Sequence, residues 1–520
     1  MHAFDWSARG ALYWPERIAI VDHATGQRTT YAELDARAER VAAWLRDRGV
    51  GYGDRVGALA HNGVEVFDLL FACGKLGAAL VPFNWRLTRH ELSALIARVA
   101  PRVLFASSEP RGGDAPAIEG RNGLADTARD AARASIGDGA VVEIGASAEY
   151  AAILARPLGA KVHEERVSAE DPFALLFTGG TTGVPRAVKI SHRMAAWNVL
   201  ATVVHHVRHE DVTAVHTPMF HTGGLFVHAL PLLALGGRVV VFRKWDADAM
   251  LRCIAKERVT VLFCVPIQFQ EMLAIPGFRA SDFSSMRMLI SGGAPLPLPV
   301  QRAFTEAHAV PMTQGFGMTE FGPNAFTLAP EDANARAGSI GRPNAFVEAT
   351  IVDADGRPVA PGETGELCLR GGALFSGYFG DDAPFTDASG WFHTGDLARC
   401  DDGYFHIVGR LKDMFVSGGE NVYPLEIENV LYTHPGVAQC AVVGVPDERW
   451  GEVGRAFVVA KLGAALDGDA LRAFLRERIA GYKVPRKVDV VDALPTSAAG
   501  KILKRELQRR AAAETREVAP

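Results

Sequence analysis

Five short segments of the 520-residue sequence combine glycines with side chains that can bind or neutralise charged groups. The first segment follows an apolar run, and its candidate phosphate-binding residues are Thr178, Gly179, Gly180, Thr181, Thr182, Gly183 and Arg186. Glycines let successive backbone N–H groups converge, and threonine hydroxyls add donors, so such a loop suits phosphate oxygens. The loop does not match the G-x-x-x-x-G-K-S/T pattern of P-loop nucleotidases. Taken alone, it fits a Gly-Thr hairpin turn equally well.

The second and third segments also follow apolar runs. Their candidate residues are Gly292, Gly293, Ala294 and Pro295 in the second segment, and Gln314, Gly315, Phe316, Gly317, Thr319 and Glu320 in the third. The small residues of the second segment let a flat ligand approach the backbone closely. In the third, Phe316 can present a ring face, while Thr319 and Glu320 place a hydroxyl beside a carboxylate, which suits a phosphate and its Mg²⁺. Considered alone, the third segment is more simply a glycine-rich turn with a surface glutamate.

The last two segments supply a carboxylate and a lysine. Asp396 ends the segment Gly390-Trp-Phe-His-Thr-Gly-Asp396. A carboxylate after a tight turn can accept two hydrogen bonds from a cis-diol such as that of ribose, and Arg410 could add a second contact. Lys501 ends the small-residue stretch Pro495-Thr-Ser-Ala-Ala-Gly-Lys501, which predicts a flexible loop just before a helix. By itself, a lysine in such a place is normally a solvated cation.

Composition narrows the classes of protein to consider. Hydrophobic residues make up 48% and charged residues 22% of the chain, which is typical of a globular protein. A net charge of −5 gives no broad electrostatic footprint for nucleic acid, so no nucleic-acid partner is expected. The six cysteines are scattered without a C-x-x-C pair, which predicts reduced thiols, mostly in the core. With no signal peptide and no long uncharged apolar run, we expect a cytoplasmic protein without a transmembrane segment.

The elements that must position these segments follow an α/β pattern. The capping-box spacing of Thr30-Tyr-Ala-Glu33 predicts the start of an amphipathic helix that ends near Gly49. Its apolar face is predicted to contain Leu34, Ala38, Val41 and Leu45. Short apolar runs then alternate with helical stretches, as expected of stacked α/β layers. Residues 107–147 are rich in Gly, Ala and Asp, and we expect them to form an exposed, variable region.

A second pattern begins near residue 410. A turn signal at 401–403 and the polar stretch Gly409-Arg-Leu-Lys-Asp413 precede new strands and helices and a basic helix over residues 501–510. We therefore predict an N-terminal domain over residues 1–408, a hinge over 409–413 and a C-terminal domain over 414–520.

Occurring together in this order, the five segments resemble the adenylate-forming superfamily of acyl-CoA synthetases, luciferases and peptide-synthetase adenylation domains. The resemblance covers nearly the whole chain, from Thr29 to Lys501. Its markers are residues 177–188, 218–224, 291–296, 314–320, 391–397, 409–413, 417–424 and 500–501. It implies an α/β fold with a large N-terminal domain of stacked α/β layers plus a β-barrel subdomain, and a small mobile α+β C-terminal domain. The active site would lie between the two domains.

The same resemblance implies ATP, Mg²⁺ and coenzyme A as cofactors and cosubstrates. The first loop would hold the ATP phosphates, residues 292–295 and Phe316 would hold the adenine, and Asp396 would bind the ribose with Arg410. Lys501 would bridge the substrate carboxylate and the α-phosphate, where its positive charge stabilises the transition state. The remaining roles are Mg²⁺ binding by Glu320, further catalytic contacts by Thr319 and His221, a hinge at Lys412, and a thiol path lined by Gly418 and Gly419.

The resemblance also implies the position of the acid pocket. Its wall would include Trp197, His221, Gly223, Ile267, Gln268, Gly315 and Phe321. This set is mostly apolar and contains no lysine or arginine, so the second carboxylate of a dicarboxylic acid would lie there unpaired. Fatty and aryl monocarboxylic acids both remain as substrates.

The implied reaction has two steps, acyl-AMP formation from acid and ATP, followed by transfer of the acyl group to the thiol of coenzyme A. Two departures from the family loop, Gly179 for serine and Arg186-Ala187 for Lys-Gly, predict altered rather than abolished adenylation. Three alternatives stay open at this point: an acyl-AMP ligase that loads a phosphopantetheine carrier protein, a luciferase-like monooxygenase, and a catalytically impaired nucleotide-binding regulator. The oligomeric state, including a homodimer, is also open.

Overall fold

The computed structural model of the chain describes residues 2–108, 123–145, 147–178, 185–204, 207–496 and 501–517. Its strands are β1 (Ile18–Asp22), β2 (Arg28–Thr30), β3 (Arg55–Leu59), β4 (Ala79–Pro82), β5 (Val103–Ser107), β6 (Val141–Ile144), β7 (Pro172–Thr178), β8 (Arg186–Ser191), β9 (Val212–Val215), β10 (Arg238–Val241), β11 (Val261–Cys264), β12 (Met288–Ser291), β13 (Met312–Met318), β14 (Gly322–Thr327), β15 (Arg342–Pro343), β16 (Val347–Val352), β17 (Gly365–Gly371), β18 (Phe392–Asp401), β19 (Tyr404–Arg410), β20 (Phe415–Ser417), β21 (Glu420–Val422), β22 (Val437–Asp447), β23 (Gly451–Ala460) and β24 (Lys487–Val490). Its α-helices are α1 (Trp6–Tyr13), α2 (Tyr31–Asp47), α3 (Val64–Leu76), α4 (Arg89–Val99), α5 (Leu124–Ala132), α6 (Ala148–Leu154), α7 (His192–Val204), α8 (Thr222–Leu225), α9 (Ala229–Leu235), α10 (Ala247–Glu257), α11 (Pro266–Leu273), α12 (Leu298–His308), α13 (Pro424–Tyr432), α14 (Gly468–Arg476) and α15 (Lys504–Glu517).

Three sheets with helices packed against them form the bulk of the chain. Their strand orders are β6-β5-β3-β4-β7-β8, β2-β1-β10-β9 and β11-β12-β13-β14-β15. Most neighbouring strands in these sheets are parallel, and β8 and β14 run antiparallel to β7 and β13. One large hydrophobic core joins Ile20 of β1, Leu34 of α2, Phe67 of α3 and Leu80 of β4, so the helices bind the first two sheets together. The predicted α/β layers are confirmed.

Helix α2 begins where the capping box predicted. The Thr30 side chain accepts a hydrogen bond from the Glu33 N–H, and the Glu33 carboxylate accepts one from the Thr30 N–H. These two bonds satisfy donors that a helix N-terminus would otherwise leave unpaired. The predicted apolar face is buried, with Leu34, Ala38, Val41 and Leu45 in the core.

The expectation of an exposed region over residues 107–147 is wrong for the part that the structure describes. Residues Leu124 to Ala132 form α5, whose Ala128, Ala131 and Ala132 are buried, and β6 pairs in parallel with β5 at the edge of a sheet. The helix buries an alanine face, and alanines give only a weak apolar signal in a sequence. Residues 109–122 of this region lie outside the described residues.

The fourth sheet supplies the β-rich subdomain. Its strands β16, β17, β18 and β19 are antiparallel neighbours in that order, and a further bridge joins Gly341 to Phe405. The core of this subdomain contains Phe326, Leu367 and Ala398, so it packs directly against β14 of the α/β layers.

The last part of the chain forms a separate sheet with its own cores. Strands β21-β20-β23-β22 lie in that order, with β24 parallel to β23. Helices α13, α14 and α15 pack against this sheet around Ile427, Leu475 and Leu507. A small α+β C-terminal domain is therefore present, whereas the hinge at residues 409–413 stays a prediction.

Two further expectations concern cysteines and membrane segments. All six cysteines are free thiols, and every one except the partly exposed Cys400 is buried, as predicted. Across the described ranges, no helix has the length and apolar character needed to cross a membrane.

Candidate active site

Lys501 brings the C-terminal domain into contact with the α/β layers. It precedes Ile502, which pairs with Thr496 in a short antiparallel bridge. The Lys501 Cε lies 3.9 Å from the point where a Cβ on Gly293 would stand. Although the residue keeps exposed surface, lost hydration lowers the pKa of its ammonium group, and the positive charge of Arg410 lowers it further. The structure thus places the predicted lysine beside the predicted adenine segment.

Asp396 lies within electrostatic reach of Lys501, and its carboxylate is oriented by one partner. The strand register places Asp396 opposite Arg410, and the Arg410 Nε donates to Asp396 Oδ1 at 2.8 Å. Oδ2 of Asp396 is buried and has no hydrogen-bond partner among the residues described. Burial raises the pKa of Asp396, while the charges of Arg410 and Lys501 oppose that rise. A buried acceptor without a partner can receive a hydroxyl, as the predicted ribose contact requires.

The turn that presents Asp396 is held by a glutamate that sequence reasoning missed. Glu366 Oε1 accepts a hydrogen bond from the Gly395 N–H at 2.9 Å, and Oε2 lies 2.8 Å from His393 Nδ1. The hydrogen bond that His393 donates to Glu366 raises the pKa of His393 above its ordinary value. The local pattern gave no signal for this contact, because Glu366 and Gly395 become neighbours only through the pairing of β17 with β18.

Glu320, the candidate Mg²⁺ ligand, lies in the turn between β13 and β14 and is buried. The hydroxyl of Tyr378 donates to Glu320 Oε1 at 3.1 Å, and the guanidinium of Arg186 stacks on the Tyr378 ring at 3.8 Å from its centre. Burial raises the pKa of Glu320, and the charges of Arg186 and Arg410 oppose the rise. Tyr378 therefore links two predicted residues, and no pattern in the sequence distinguished it. Thr319 precedes Glu320 in the same turn and is partly exposed.

His221 immediately precedes α8 and lies within electrostatic reach of Lys501. Burial lowers the pKa of His221 to about 4, with Lys501 and Arg86 adding repulsion, so the ring is neutral near pH 7. Its Nε2 is buried and hydrogen-bonds to none of the described residues. A neutral ring with an unused nitrogen can contact a carboxylate without competing with Lys501 for its charge.

The second and third segments leave the sheet side by side, because β12 and β13 are parallel and pair Ser291 with Gln314. The Gln314 Oε1 then accepts a hydrogen bond from the Leu296 N–H at 2.9 Å, which fixes residues 292–295 across the strand ends. Gly293 has a φ of +77°, a left-handed conformation that favours glycine. The Phe316 ring packs edge-to-face on Phe326 at 5.8 Å between ring centres. Gly317 fits only without a side chain, since a Cβ there would lie 2.2 Å from the Pro323 carbonyl oxygen.

The tip of the predicted phosphate loop falls outside the described residues, and this applies to Gly179, Gly180, Thr181, Thr182 and Gly183. The structure does describe the residues at the two ends of this loop. Thr178 of β7 pairs with Arg186 of β8 in an antiparallel register, and the Thr178 hydroxyl donates to the Arg186 carbonyl at 3.4 Å. The segment therefore joins two antiparallel strands. Phosphate binding by this loop and the effect of arginine at position 186 both remain predictions.

The predicted acid-pocket residues do not all line one space. A narrow space between α7, α8 and β14, too small for a water molecule, is lined by Ile190, Met194, Ala195, Asn198, Thr222, Phe226, Gly322 and Pro323. His221, Gly223 and Phe321 are chain neighbours of these lining residues. Trp197 instead packs on Phe346, with 4.6 Å between ring centres.

Two other predicted pocket residues, Ile267 and Gln268, lie in the first turn of α11. The Gln268 Oε1 accepts from the Val265 N–H, and its Nε2 donates to His216 Nδ1 at 3.1 Å. Both ends of the Gln268 amide are therefore used within the protein.

Gly418 and Gly419 form the two-residue turn of the β20–β21 hairpin. Both have positive φ, +61° and +89°, which is the combination that a tight hairpin turn requires. A Cβ on Gly418 would lie 2.8 Å from the Trp450 ring, whereas nothing lies within 4 Å of a Cβ on Gly419. The turn therefore explains why both residues are glycine, and their place on a thiol path stays a prediction. Lys412 lies in the turn that leads from β19 to β20 and is exposed.

The structure provides the groups that the sequence predicted for an enzyme joining a carboxylic acid to a nucleotide: an unpaired carboxylate oxygen on Asp396, the Lys501 ammonium, a neutral His221 ring and a buried Glu320 carboxylate. The chain belongs to the family of AMP-binding enzymes: residues 7–379 match the model described as "AMP-binding enzyme", and residues 426–501 match "AMP-binding enzyme C-terminal domain". It is an AMP-forming acyl-CoA synthetase, as its relatives indicate.

Two relatives and one solved structure illustrate the similarity. A feruloyl-CoA synthase from Amycolatopsis sp is 40% identical over 96% of this chain and 99% of its own. An indoleacetate–CoA ligase from Aromatoleum aromaticum is 37% identical over 99% of both chains. The crystal structure of ATP-bound MatB from Rhodopseudomonas palustris is 32% identical over 98% of both chains, with a TM-score of 0.86. These relatives support the fold and the reaction class expected from the sequence.

Proposed function

We propose that this enzyme activates an aromatic monocarboxylic acid with ATP and Mg²⁺ and transfers the aryl acyl group to coenzyme A in the cytoplasm. The observation that carries the proposal is that Lys501 meets the predicted adenine segment at Gly293, with the unpaired Oδ2 of Asp396 and the neutral ring of His221 within electrostatic reach of the lysine. Each of these groups would contact a different part of the acid or of the nucleotide.

In the first step, a substrate carboxylate oxygen attacks the α-phosphorus of ATP. A P–O bond forms, the bond from the α-phosphorus to the bridging oxygen breaks, and pyrophosphate leaves. Asp396 Oδ2 would accept a ribose hydroxyl, while Arg410 holds the other carboxylate oxygen in place. Lys501 would lie between the carboxylate and the α-phosphate, where negative charge develops, and a fixed cation in such a place lowers the barrier. His221, neutral at pH 7, would position the substrate carboxylate.

In the second step, the thiol sulfur of coenzyme A attacks the acyl carbon, AMP leaves, and the thiol proton passes to solvent. This step needs Lys501 to leave the acyl-AMP, and a rotation of the C-terminal domain about Lys412 would allow it. The separate cores of the two domains support a rigid-body movement of this kind.

Mg²⁺ fits the donor set at Glu320. Mg²⁺ prefers carboxylate oxygens together with substrate phosphates, and Tyr378 uses only Oε1 of this carboxylate. Bound there, the ion would neutralise charge on the pyrophosphate leaving group. The pKa of Glu320 is raised by burial, and a cation would favour its ionised form.

The names of the relatives favour an aromatic acid over a fatty acid. The names of two relatives, feruloyl-CoA synthase and indoleacetate–CoA ligase, both describe acids with an aromatic ring. The residues predicted to line the acid pocket include no lysine or arginine, and this supports an acid with a single carboxylate.

The test is acid-dependent formation of AMP and pyrophosphate from ATP and Mg²⁺, measured with cinnamate-type acids, long-chain fatty acids and phthalate-type dicarboxylic acids. Each acid is assayed with coenzyme A, with a phosphopantetheine carrier protein, and without a thiol. We expect AMP release that depends on coenzyme A and is fastest with aromatic monocarboxylic acids. Faster turnover of fatty acids would refute the assignment of an aromatic substrate. Faster loading of the carrier protein would refute coenzyme A as the acyl acceptor. If none of the acids supports the formation of AMP, the result would favour a catalytically impaired nucleotide-binding regulator.

A further inference from the structure

Three side chains on neighbouring strands of the β-rich subdomain bring an oxygen, a sulfur and a nitrogen ligand together. Cys368 of β17 is paired directly with His393 of β18, and Glu366 precedes Cys368 by two residues. His393 Nδ1 lies 2.8 Å from Glu366 Oε2 and 3.4 Å from Cys368 Sγ. In the described part of the chain, this is the one group of at least three histidine, cysteine or acidic residues whose ligand atoms all lie within 4.8 Å of one another.

The distances in this group are close to those of a tetrahedral metal centre. Zn²⁺ binds sulfur at about 2.3 Å and histidine nitrogen or carboxylate oxygen at about 2.0 to 2.2 Å, so its ligand atoms lie about 3.3 to 3.6 Å apart. The distance from His393 Nδ1 to Cys368 Sγ is already in this range. Nδ1 and Glu366 Oε2 need to separate by only about 0.5 Å. An ion can therefore replace the proton between His393 and Glu366 with only small movements of the side chains.

A second carboxylate, that of Asp387, orients the histidine ring from its other side. Asp387 Oδ2 lies 3.5 Å from His393 Nε2. Asp387 Oδ1 accepts hydrogen bonds from the N–H groups of Ser389 at 2.8 Å and Trp391 at 2.9 Å, which hold this carboxylate in place. A metal-binding histidine almost always donates its other ring N–H to a carboxylate, a carbonyl or water. With its proton on Nε2 facing Asp387, the ring presents the lone pair of Nδ1 to an ion.

The exposure and the chemistry of the three groups determine which ion fits. The side chains of His393 and Glu366 are 41% and 19% exposed, so an ion can enter from solvent and keep a water molecule as its fourth ligand. Cys368 is buried and supplies the sulfur from below. Thiolate and imidazole ligands select Zn²⁺ and similar transition metals, whereas Mg²⁺ prefers oxygen ligands. The group therefore suits a different ion from the one expected at Glu320.

We propose that Glu366, Cys368 and His393 form a binding site for a thiophilic divalent cation such as Zn²⁺. The ion accepts electron pairs from Oε2, Sγ and Nδ1, and the protons of the thiol and of Nδ1 pass to solvent. Glu366 Oε1 keeps its hydrogen bond from the Gly395 N–H, so the ion braces the turn that presents Asp396. Binding at this site needs neither ATP nor the acid, so it can be tested apart from the proposed function.

The experiment uses Co²⁺ as the probe, because a thiolate bound to Co²⁺ gives a sulfur-to-cobalt charge-transfer absorption. The reduced, chelator-treated enzyme is titrated with Co²⁺ alone, and Zn²⁺ is then added. We expect the absorption to saturate at one Co²⁺ per chain and to disappear with Zn²⁺. Cys368→Ser should lose it, whereas the matched control Cys400→Ser, a partly exposed cysteine of β18, should keep it. No such absorption in the native enzyme, or absorption that survives in folded Cys368→Ser, would overturn the proposal.

Two further variants test the histidine and the carboxylate that orients it. Asp387→Asn should weaken the affinity for Co²⁺ by roughly 10- to 100-fold, the usual effect of losing a group that orients a metal ligand. His393→Gln removes a ligand and should weaken it further. Glu348→Gln is the control, since Glu348 pairs with Arg370 on the same sheet, and its affinity should be that of the native enzyme. Native affinity in His393→Gln would overturn the proposal even if Cys368→Ser does not fold, and native affinity in Asp387→Asn would overturn the orienting role of Asp387.

Discussion

Arg410 and Asp396 face each other across strands β19 and β18, with the Arg410 Nε 2.8 Å from Asp396 Oδ1. This ion pair leaves Oδ2 of Asp396 buried and without a partner in the described part of the chain. The two oxygens of one carboxylate thus have different tasks: one fixes the side chain, and the other is available to a ligand.

Asp396→Ala is expected to weaken ATP binding by roughly 10- to 100-fold, because a charge-assisted hydrogen bond contributes about 1.5 to 3 kcal/mol. The measurement is calorimetric titration with a non-hydrolysable ATP analogue in the absence of acid. Asp401→Asn, at the other end of β18, is the matched control and should bind the analogue normally. Unchanged affinity in Asp396→Ala would show that the ribose lies elsewhere.

Lys501→Ala is expected to slow adenylate formation by about 10² to 10³ while thioester formation from supplied acyl-AMP is largely kept. The reason is that the cation is needed only where the α-phosphate gains charge. Single-turnover assays of each half-reaction measure the two rates. Lys487→Ala, an exposed lysine of the same domain, serves as the control. Equal losses in both half-reactions would contradict the assigned role.

Lys412→Pro is expected to keep pyrophosphate release but lose thioester output, since proline fixes φ near roughly −65° and should trap one domain orientation. Acyl-AMP formed in a single turnover is chased with coenzyme A, and the chase rate is the readout. Lys412→Ala removes the same side chain and leaves the backbone free, so its chase should be normal. A normal chase in both variants would rule out a pivot at this residue.

Glu366→Gln is expected to raise KM for ATP more than it lowers kcat, because Glu366 positions the turn before Asp396 without touching the reacting atoms. The variant should also change the pH dependence of stability. The pKa of His393 is raised by Glu366, so their ion pair stabilises the fold fully below the ordinary pKa of about 6.5. That contribution is lost as the pH rises through the raised value.

The melting temperature of Glu366→Gln should therefore fall further below that of the native enzyme at pH 6 than at pH 9. Glu348→Gln is the control, since Glu348 pairs with Arg370 on the same sheet and no histidine of the described residues pairs with it. An equal difference at both pH values would mean that His393 does not carry the effect.

Acid should destabilise the protein through buried histidines. Burial lowers the pKa of His192 to about 3, and those of His216, His221 and His228 to about 4. In the unfolded chain each binds a proton below about pH 6.5, so the free energy of unfolding falls as the pH drops from 6.5 towards 4. Each histidine contributes up to about 1.4 kcal/mol per pH unit in this window.

Thermal unfolding between pH 7.5 and 5 measures this slope. His228→Asn should reduce the slope, whereas replacement of the exposed His209 should leave it unchanged. A melting temperature that is constant over this range would contradict the prediction.

Much of the fold was predictable because its signals are local. The capping box of Thr30 and Glu33 and the spacing of the apolar residues after it are determined within four turns of helix, and the structure matches them. The prediction for residues 107–147 failed because α5 buries mainly alanines, whose burial depends on the sheet beneath the helix rather than on their own hydrophobicity.

The sequence by itself determined which residue types are present for chemistry: Lys501, Asp396 and Glu320 belong to glycine-containing segments, and His221 follows from the resemblance to the family. Only the tertiary structure decided which of their atoms are used. The register of β18 and β19 commits one oxygen of Asp396, the pairing of β17 with β18 brings Glu366 to Gly395, and Tyr378 reaches Glu320 from a distant turn. The physical reason is that a hydrogen bond depends on distance and direction between atoms. A sequence states which donors and acceptors exist, and packing alone determines which of them stay unpaired for a ligand.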